Sequence, residues 1–271
     1  MVQTGMVSIG VVTEQAKTSE DAVLVEQRDR ILIITINRPE AKNAVNLAVA
    51  QGLAAAMDRL DGEPGLSVGI VTGAGGSFCA GMDLKAFARG EFPLVPGRGM
   101  GFTERPPAKP LIAAVEGYAL AGGTELALAT DLIVASRESA FGIPEVKRGL
   151  VAGGGGLLRL PQRIPFAIAM ELALTGENLG AERAHELGLV NVLAEPGKAL
   201  DAALELAGRI TCNGPLAVAA TKRIVVESHN WSDAEKWQKQ GEIMGPVFAS
   251  KDAQEGARAF AEKRPAQWTG S

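Results

Sequence analysis

The chain of 271 residues is 46% hydrophobic and 21% charged, with a net charge of -4 and no dense cluster of Lys and Arg. This composition is typical of a globular protein whose core needs no disulfides, and it disfavours a nucleic-acid-binding surface. The two cysteines, Cys79 and Cys212, form neither a disulfide framework nor a zinc motif. No apolar run reaches the about 18 residues of a membrane span. We therefore expect a cytoplasmic protein without membrane or nucleic-acid partners.

The first part of the chain predicts a hairpin followed by a helix. Residues 23–26 and 31–36 are rich in β-branched side chains, which favour strands, and a short polar segment separates them. Asn46 is a suitable N-cap for a helix over residues 47–60, and Gly62 lies just past the predicted helix end.

The middle of the chain alternates between strand and helix patterns. Apolar runs predict three further strands, over residues 68–72, 111–115 and 132–135. Helical spacing predicts helices over residues 157–160, 167–174 and 181–187, with Gly176 and Gly188 as stops. This alternation predicts an α/β fold in which β-β-α units repeat and wind into a core.

From about residue 197 the pattern becomes wholly helical. The predicted helices cover residues 202–210, 216–226, 234–244 and 253–262. We therefore expect a flexible arm at residues 1–20, which do not resemble a signal peptide, and a core over residues 21–196. Residues 197–271 form a helical region that packs on this core or on a neighbouring subunit.

Residues 86–110 do not match either pattern because they are rich in glycine and proline. A structureless loop of this length is uncommon in a compact domain and is often a lid or a binding loop. Surface disorder is the alternative interpretation.

The segment IVTGAGGSFCAG, residues 70–81, superficially resembles a nucleotide-binding turn because a strand runs into glycines. The turn follows a complete β-β-α section rather than the first strand. Tyr118 is the only tyrosine and has no Lys four residues later, which short-chain dehydrogenases need. No Gly-Lys-Ser/Thr follows the glycines, so a Walker-type loop is also disfavoured.

Two backbone turns are better candidates for a site. Gly81-Met82-Asp83 follows one strand, and Ala121-Gly122-Gly123 follows another and begins a helix. Helix N-termini carry unpaired N–H groups, and glycines let a ligand approach the backbone. Two such donors at one point would form an oxyanion hole.

Two carboxylates accompany these turns. Glu125 lies about one helical turn after Gly122, on the same face. Its alternative role is to stabilise the start of its own helix. Glu145 follows a Gly/Pro turn, and its alternative role is that of a solvated loop residue or helix starter. Their order along the chain, followed by glycines 153–156, favours a chemical role.

Four motifs together resemble the enoyl-CoA hydratase/isomerase (crotonase) superfamily. They are AGMDL (80–84), GYALAGGTELALATD (117–131), FGIPEVKRGLVAGGGG (141–156) and ALTGENLGAERAHELGLVN (173–191). The resemblance implies a spiral of β-β-α repeats, acyl-CoA substrates, and homotrimers that often pair into hexamers through the C-terminal helices. CoA would enter as part of the substrate, and no other cofactor is implied.

The resemblance also implies roles for individual residues. The oxyanion hole falls on the N–H groups of Met82 and Gly122, and the two hydratase glutamates fall on Glu125 and Glu145. The implied substrate and CoA contacts are Ala80 near the adenine, Met82, Asp83, Leu84 and Lys85 near the thioester, Gly153, and Arg38, Lys42 or Lys85 for the phosphates.

We expect an enoyl-CoA hydratase that adds water syn to a 2-enoyl-CoA in fatty-acid or related acyl-CoA metabolism. Glu125 would activate the water, and Glu145 would protonate C2. A carnitinyl-CoA dehydratase is the nearest alternative, because the turn around Glu145 and the tail from residue 252 to 270 look similar to those enzymes. Another lyase or isomerase of the family is possible, and so is a non-catalytic protein that binds RNA or a partner. The acidic balance and the glutamate pair disfavour this last alternative.

Overall fold

The computed structural model describes residues 22–271, so the arm expected at residues 1–20 lies outside the described residues. Residues 22–271 form nine strands: β1 Val23–Arg28, β2 Ile31–Ile36, β3 Val68–Gly73, β4 Leu111–Val115, β5 Tyr118–Leu120, β6 Leu132–Ser136, β7 Ala140–Gly142, β8 Asn178–Gly180 and β9 Val192–Ala194. The predicted hairpin and the three further predicted strands are confirmed.

The same residues form ten α-helices: α1 Leu47–Gly62, α2 Leu84–Ala88, α3 Gly122–Leu128, α4 Gly156–Arg163, α5 Phe166–Thr175, α6 Ala181–Glu186, α7 Ala199–Thr211, α8 Pro215–Glu227, α9 Lys236–Phe248 and α10 Lys251–Glu262. Short 3-10 helices lie at Pro39–Ala41, Pro144–Arg148 and Ser228–Asn230. No helix within residues 22–271 combines the length and apolar character that crossing a bilayer would require.

The strands form two sheets. The larger has the order β1-β2-β3-β4-β6-β9, and the smaller has the order β5-β7-β8. β1 and β2 are antiparallel, whereas the other neighbours in the large sheet are parallel. The chain passes from the large sheet to the small one between β4 and β5 and again between β6 and β7. This alternation confirms the predicted winding of β-β-α units.

Alternation along β2 explains why the large sheet is covered on both faces. Ile31 and Ile33 pack with Ala203 and Ala207 of α7 on one side. Leu32, Ile34 and Ile36 face the opposite side, in the cluster that contains Leu53 and Met57 of α1. Successive side chains of a strand point to opposite faces, so a buried two-sided strand has a continuous apolar run.

The start of α1 is the predicted one, but its end differs slightly. The Asn46 side chain accepts a hydrogen bond from the Val49 N–H, which confirms the cap. Gly62, expected just past the helix, is its last residue. The cap is Glu63, whose backbone N–H donates to the Arg59 carbonyl, so this helix ends without a left-handed glycine.

The unassigned segment 86–110 lies along α1 and is anchored to it by polar contacts. Glu91 accepts a hydrogen bond from the Leu47 N–H at 2.9 Å, and Arg98 forms an ion pair with Asp58. The Asp61 carboxylate accepts from the backbone N–H groups of residues 108 and 109. Met100 and Phe102 of this segment are buried in the main core. These anchors favour a binding loop over surface disorder.

Asn43 joins the turn after β2 to the turn after β3. It is fully buried with a φ of 56°, a left-handed conformation that asparagine tolerates. Its Oδ1 accepts from the Arg38 N–H at 2.9 Å, and its Nδ2 donates to the carbonyls of Ala74 (2.8 Å) and Ser77 (2.6 Å). One side chain therefore satisfies three backbone groups.

Replacing Asn43 with alanine should lower the free energy of unfolding by about 3 kcal/mol or more, because unpaired buried polar groups cost about 1–3 kcal/mol each. Urea denaturation measures this loss. The control is Asn213→Ala, because Asn213 is exposed and its Nδ2 donates to one backbone group, the Arg209 carbonyl at 3.0 Å. A loss at Asn43 no larger than at Asn213 would contradict the assigned role.

Candidate active site

Two backbone turns meet beside the short strand β5. The Cys79 N–H donates to the Tyr118 carbonyl at 2.9 Å, and the Leu120 N–H donates to the Cys79 carbonyl at 3.0 Å. This pairing places Gly81 against Ala121. A β-carbon on Gly81 would lie 2.7 Å from the Ala121 β-carbon, so only glycine allows this approach.

The backbone nitrogens of Met82 and Gly122 lie close to each other. Val45 donates to the Gly81 carbonyl and accepts from the Asp83 N–H, so the Met82 N–H between them points away from Val45. A β-carbon on Gly122 would lie 3.5 Å from the Met82 nitrogen. Neither N–H donates a hydrogen bond to another group within residues 22–271. The pair can therefore receive an oxygen from a ligand.

The orientation of Gly122 depends on a strained residue. Ala121 has φ 51° and ψ -126°, a conformation that residues with a β-carbon rarely adopt. Its own N–H donates to the Gly142 carbonyl at 2.8 Å. This bond and the close contact with Gly81 hold the turn at the start of α3.

Glu125 is buried, with 3% of its surface exposed, although α3 is otherwise small and apolar. Its Oε1 accepts a hydrogen bond from the N–H of Gly156, the first residue of α4, at 2.9 Å. Burial raises the pKa of Glu125, and the N–H groups of Gly156 and Gly154 and the charge of Arg159 oppose this rise. Glu125 therefore accepts from the start of a different helix rather than capping its own.

Glu145 belongs to the 3-10 helix Pro144–Arg148 and is half-buried. Its Oε2 is buried without a hydrogen-bond partner among the described residues. Burial raises the pKa of Glu145, its own backbone N–H lowers it, and the negative charge of Glu125 raises it further. An unpaired buried carboxylate oxygen is unfavourable for folding, so it marks a site of chemistry or binding.

Thr124 fixes the relation between the two glutamates. Its hydroxyl accepts from the Gly142 N–H at 3.0 Å and lies 2.7 Å from the Gly142 carbonyl. Thr124 precedes Glu125 in α3, and Gly142 ends the strand that leads to Glu145. Hydrogen bonds between these two elements thus hold both carboxylates at the site, beside the N–H pair.

Several residues predicted to contact CoA lie near each other on the surface beside the two backbone turns. The Ala80 N–H donates to the Lys42 carbonyl at 3.0 Å, and the Lys42 Nζ lies 6.0 Å from the centre of the Tyr118 ring. Lys42, Leu84 and Lys85 are exposed. These positions suit contacts with a large ligand.

Two other predicted contacts have internal partners. The Arg38 guanidinium pairs with Asp83 at 2.9 Å and also donates to the Ala44 carbonyl. The Asp83 carboxylate caps α2 by accepting from the Lys85 and Ala86 N–H groups. We therefore no longer expect Arg38 to bind phosphate, and Asp83 supports the turn after Met82.

Met100 and Arg159, which no sequence pattern indicated, and Gly154 and Gly156 of the glycine run also shape the site. A β-carbon on Gly154 would lie 2.5 Å from the Met100 Cε and 2.7 Å from the Glu125 Oε2. Met100 also approaches Gly122, with its Sδ 3.0 Å from a β-carbon placed there. The run of four glycines in the sequence does not reveal that Gly154 packs against Met100 and Glu125. Gly153, predicted to contact the substrate, is exposed and open to solvent.

Cys79, beside the turn that carries Met82, is a packing residue. It is fully buried, and its Sγ accepts from the Gly81 N–H at 3.4 Å. Burial raises the pKa of its thiol to about 12, which keeps it protonated and unreactive at neutral pH.

Comparison with known proteins identifies the family. The family model described as enoyl-CoA hydratase/isomerase matches residues 26–271. The chain is 44% identical over 256 residues to enoyl-CoA hydratase EchA19 of Mycobacterium tuberculosis, covering 89% of this chain and 94% of that protein. It is 43% identical over 249 residues to carnitinyl-CoA dehydratase of Salmonella arizonae, covering 89% and 95% of the two chains.

A solved structure extends the likeness to three dimensions. It is the crystal structure of enoyl-CoA hydratase EchA1 from Mycobacterium marinum, with a TM-score of 0.92 and 78% identity over 93% of this chain and 100% of that chain. A match over nearly the whole chain, in sequence and in fold, decides the family. The chain belongs to the enoyl-CoA hydratase/isomerase family.

Proposed function

We propose that this protein is an enoyl-CoA hydratase that adds water to a 2-enoyl-CoA and releases a 3-hydroxyacyl-CoA. The observation that carries the proposal is the unpaired, buried Oε2 of Glu145 beside Glu125 and the two free N–H groups. Hydration needs a group that deprotonates water, a group that protonates C2, and donors for the thioester oxygen. This site supplies all three.

The N–H groups of Met82 and Gly122 are the proposed oxyanion hole. Attack of water at C3 moves electrons through C2 to the thioester oxygen, which becomes an enolate oxygen. Donors that already point at this oxygen stabilise the enolate without reorganisation. Each such donor contributes on the order of 10²–10³ in rate in other enzymes.

The different surroundings of the two glutamates support their assigned roles. Glu125 accepts hydrogen bonds from two backbone N–H groups, which favour its ionised form and make it the base. Glu145 has an unpaired oxygen and a negative neighbour, which favour retention of a proton. A pair this close titrates as a unit, so the active form carries one proton.

The proposed reaction balances with no group beyond water and substrate. The water oxygen bonds to C3 and its proton passes to Glu125, while C2 of the enolate takes the proton of Glu145. Transfer of a proton from Glu125 back to Glu145 restores the starting state. We place both carboxylates on the same face of the bound enoyl group, so hydrogen and hydroxyl add to that face, which is syn addition.

The remaining predicted contacts are part of the same proposal. Ala80, Leu84, Lys85, Gly153 and Lys42 line the proposed path of CoA, and the two exposed lysines face its phosphates. No cofactor other than the CoA of the substrate is proposed. We also propose fatty-acid or related acyl-CoA metabolism in the cytoplasm as the setting.

Carnitinyl-CoA dehydration is the second candidate. Relatives with that name are 43% and 42% identical to this chain over about nine-tenths of its length. Removal of water from a 3-hydroxyacyl-CoA uses the same enolate and the same two carboxylates in reverse. The two candidates share the site, so the acyl group accepted distinguishes them.

Glutamine at either glutamate should abolish most hydration of crotonyl-CoA, followed by loss of the enoyl-thioester absorbance. We expect Glu125→Gln and Glu145→Gln each to lower kcat by at least about 10², because each removes one proton-transfer group. Both variants should remain folded, since glutamine removes a buried charge. The control is Glu177→Gln, an exposed glutamate that pairs with Lys147 at 2.9 Å.

A wild-type protein that binds crotonyl-CoA without hydrating it would overturn simple hydration. Carnitinyl-CoA is then the substrate to test. Hydration that survives in both glutamine variants would overturn the assigned residues and leave the family unchanged.

Alanine at Gly154 should impair catalysis more than folding. The added β-carbon would press on the Glu125 Oε2 and the Met100 Cε, and displacing a catalytic group by about 1 Å costs on the order of 10² in rate. We expect kcat to fall by at least about tenfold, with a melting temperature close to wild type. Gly208→Ala on α7 has open space around the new carbon and should leave kcat unchanged.

We also propose that the helical region, residues 197–271, forms the contacts of a homotrimer or of a hexamer of two trimers. Its helices expose large apolar side chains, with Trp237 72%, Phe248 70% and Phe260 87% exposed. Apolar side chains grouped on one region are typical of an interface.

Analytical ultracentrifugation should give three or six times the mass of the chain. Phe248→Glu and Phe260→Glu should shift the protein toward smaller species, because each places a charge on the proposed interface. Leu24→Glu, at an exposed position of β1 outside this region, is the control. A monomer at micromolar wild-type concentration would contradict the assembly but not the chemistry.

A further inference from the structure

We infer that Arg159 is a positioning residue, which holds the loop containing Met100 and the glycine turn 153–156 around Glu125. The inference rests on the proposed function, because it assigns Arg159 a role in the chemistry of Glu125. Arg159 does not itself contact the reacting atoms in this role. It acts through the two segments that its guanidinium joins.

The geometry places Arg159 between these segments. It lies in the first turn of α4, and its Nη2 donates to the Thr103 carbonyl at 2.5 Å. Its Nη1 donates to the Gly154 carbonyl at 3.3 Å. Gly155 has a φ of 94°, and a β-carbon there would clash with Nη1, so the turn is built around the guanidinium.

Each bonded carbonyl belongs to a segment that contacts the site. The Thr103 hydroxyl accepts from the Met100 N–H at 3.0 Å, and Met100 lies against Gly122 and Gly154. The Gly154 carbonyl belongs to the turn whose N–H groups, with that of Gly156, bond Glu125. The Arg159 side chain therefore fixes both Met100, which lies beside the proposed oxyanion hole, and the N–H groups that bond Glu125.

The charge of Arg159 has no close acidic partner. No carboxylate within residues 22–271 lies at ion-pair distance from it, and Glu125 is the acidic group that acts on it electrostatically. A half-buried guanidinium that bonds only carbonyls loses hydration without the compensation of an ion pair. Its positive charge instead favours the ionised form of Glu125, the form that accepts a proton from water.

The other groups around Glu125 act in defined directions. The N–H groups of Gly154 and Gly156 and the charge of Arg159 lower its pKa, whereas burial raises it. The negative charge of Glu145 also faces Glu125, and Arg148 acts on Glu145. Removing Arg159 while these remain should therefore raise the pKa of Glu125.

Arg163 offers a matched control one turn further along α4. It is also half-buried, and its Nη2 donates to the Thr130 carbonyl. Its acidic neighbour is Asp131 rather than Glu125. Arg163→Gln therefore removes a similar guanidinium–carbonyl contact away from the catalytic pair.

The test compares Arg159→Gln, Arg159→Lys and Arg163→Gln by two measurements. The first is kcat/KM for crotonyl-CoA as a function of pH. The second is the infrared titration of Glu125, assigned by the difference from Glu125→Gln, which needs no activity. We expect Arg159→Gln to lower kcat at least about tenfold, because the base is displaced. It should also move the acid limb of the pH profile and the Glu125 titration to higher pH.

The other variants separate charge from geometry. Arg159→Lys keeps the positive charge but lacks the planar guanidinium that donates to two carbonyls at once. For this variant kcat should fall while the Glu125 titration stays unchanged. If Arg159→Gln does not fold, the loss of kcat in Arg159→Lys still tests the positioning role. Arg163→Gln should lower the melting temperature without moving the titration.

An unshifted Glu125 titration in Arg159→Gln would overturn the inference, and so would full kcat in Arg159→Lys. An equal shift in Arg163→Gln would also overturn it, because the effect would then be general to α4. A wild-type protein without hydratase activity would refute the proposed function, and the infrared titration would still decide whether Arg159 acts on Glu125.

Discussion

The site depends on glycines at the point where two backbone turns meet, because larger residues there would keep the turns apart. The pairing of Cys79 with Ala119 brings the turn after β3 against the turn before α3 so closely that β-carbons are excluded at several positions. At Gly123 an added carbon would clash with the Cys79 carbonyl, and at Gly81 it would clash with Ala121. This contact brings the backbone N–H groups of Met82 and Gly122 close to each other. The strained backbone of Ala121 persists because this packing leaves no alternative.

The two glutamates differ in their backbone donors rather than in residue type. Glu125 and Glu145 are the same amino acid, and burial raises both pKa values. Glu125 faces the start of α4, where unpaired N–H groups are available to a carboxylate. Glu145 lies in a short 3-10 helix, and its Oε2 is left without a donor. The position of α4 relative to α3 therefore gives the two carboxylates different surroundings.

Local patterns predicted most of the fold, whereas the contacts that complete the site are long-range. The strands β2, β3 and β4 were predictable because each has a continuous apolar run buried on both faces. Glu125 stood out because it interrupts a run of small and apolar residues, and Glu145 because it follows a Gly/Pro turn. Arg159 bonds a carbonyl 56 residues earlier, and Gly156 bonds a carboxylate 31 residues earlier. Met100 lies in an irregular loop without periodicity, so no pattern in the sequence links it to Gly122 or Gly154.

The anchors of the loop over residues 89–110 have a consequence for evolution and engineering. Glu91, Arg98 and residues 108 and 109 are fixed to α1, on the outside of the core, and not to the elements that carry the glutamates. Between the first two anchors, Phe92 and Leu94 are more than half exposed. Substitutions of these two side chains should therefore leave the anchors in place, and with them both carboxylates and the N–H pair. Phe92 and Leu94 are thus positions at which the surface of this loop can be redesigned while the backbone turns and the glutamates stay unchanged.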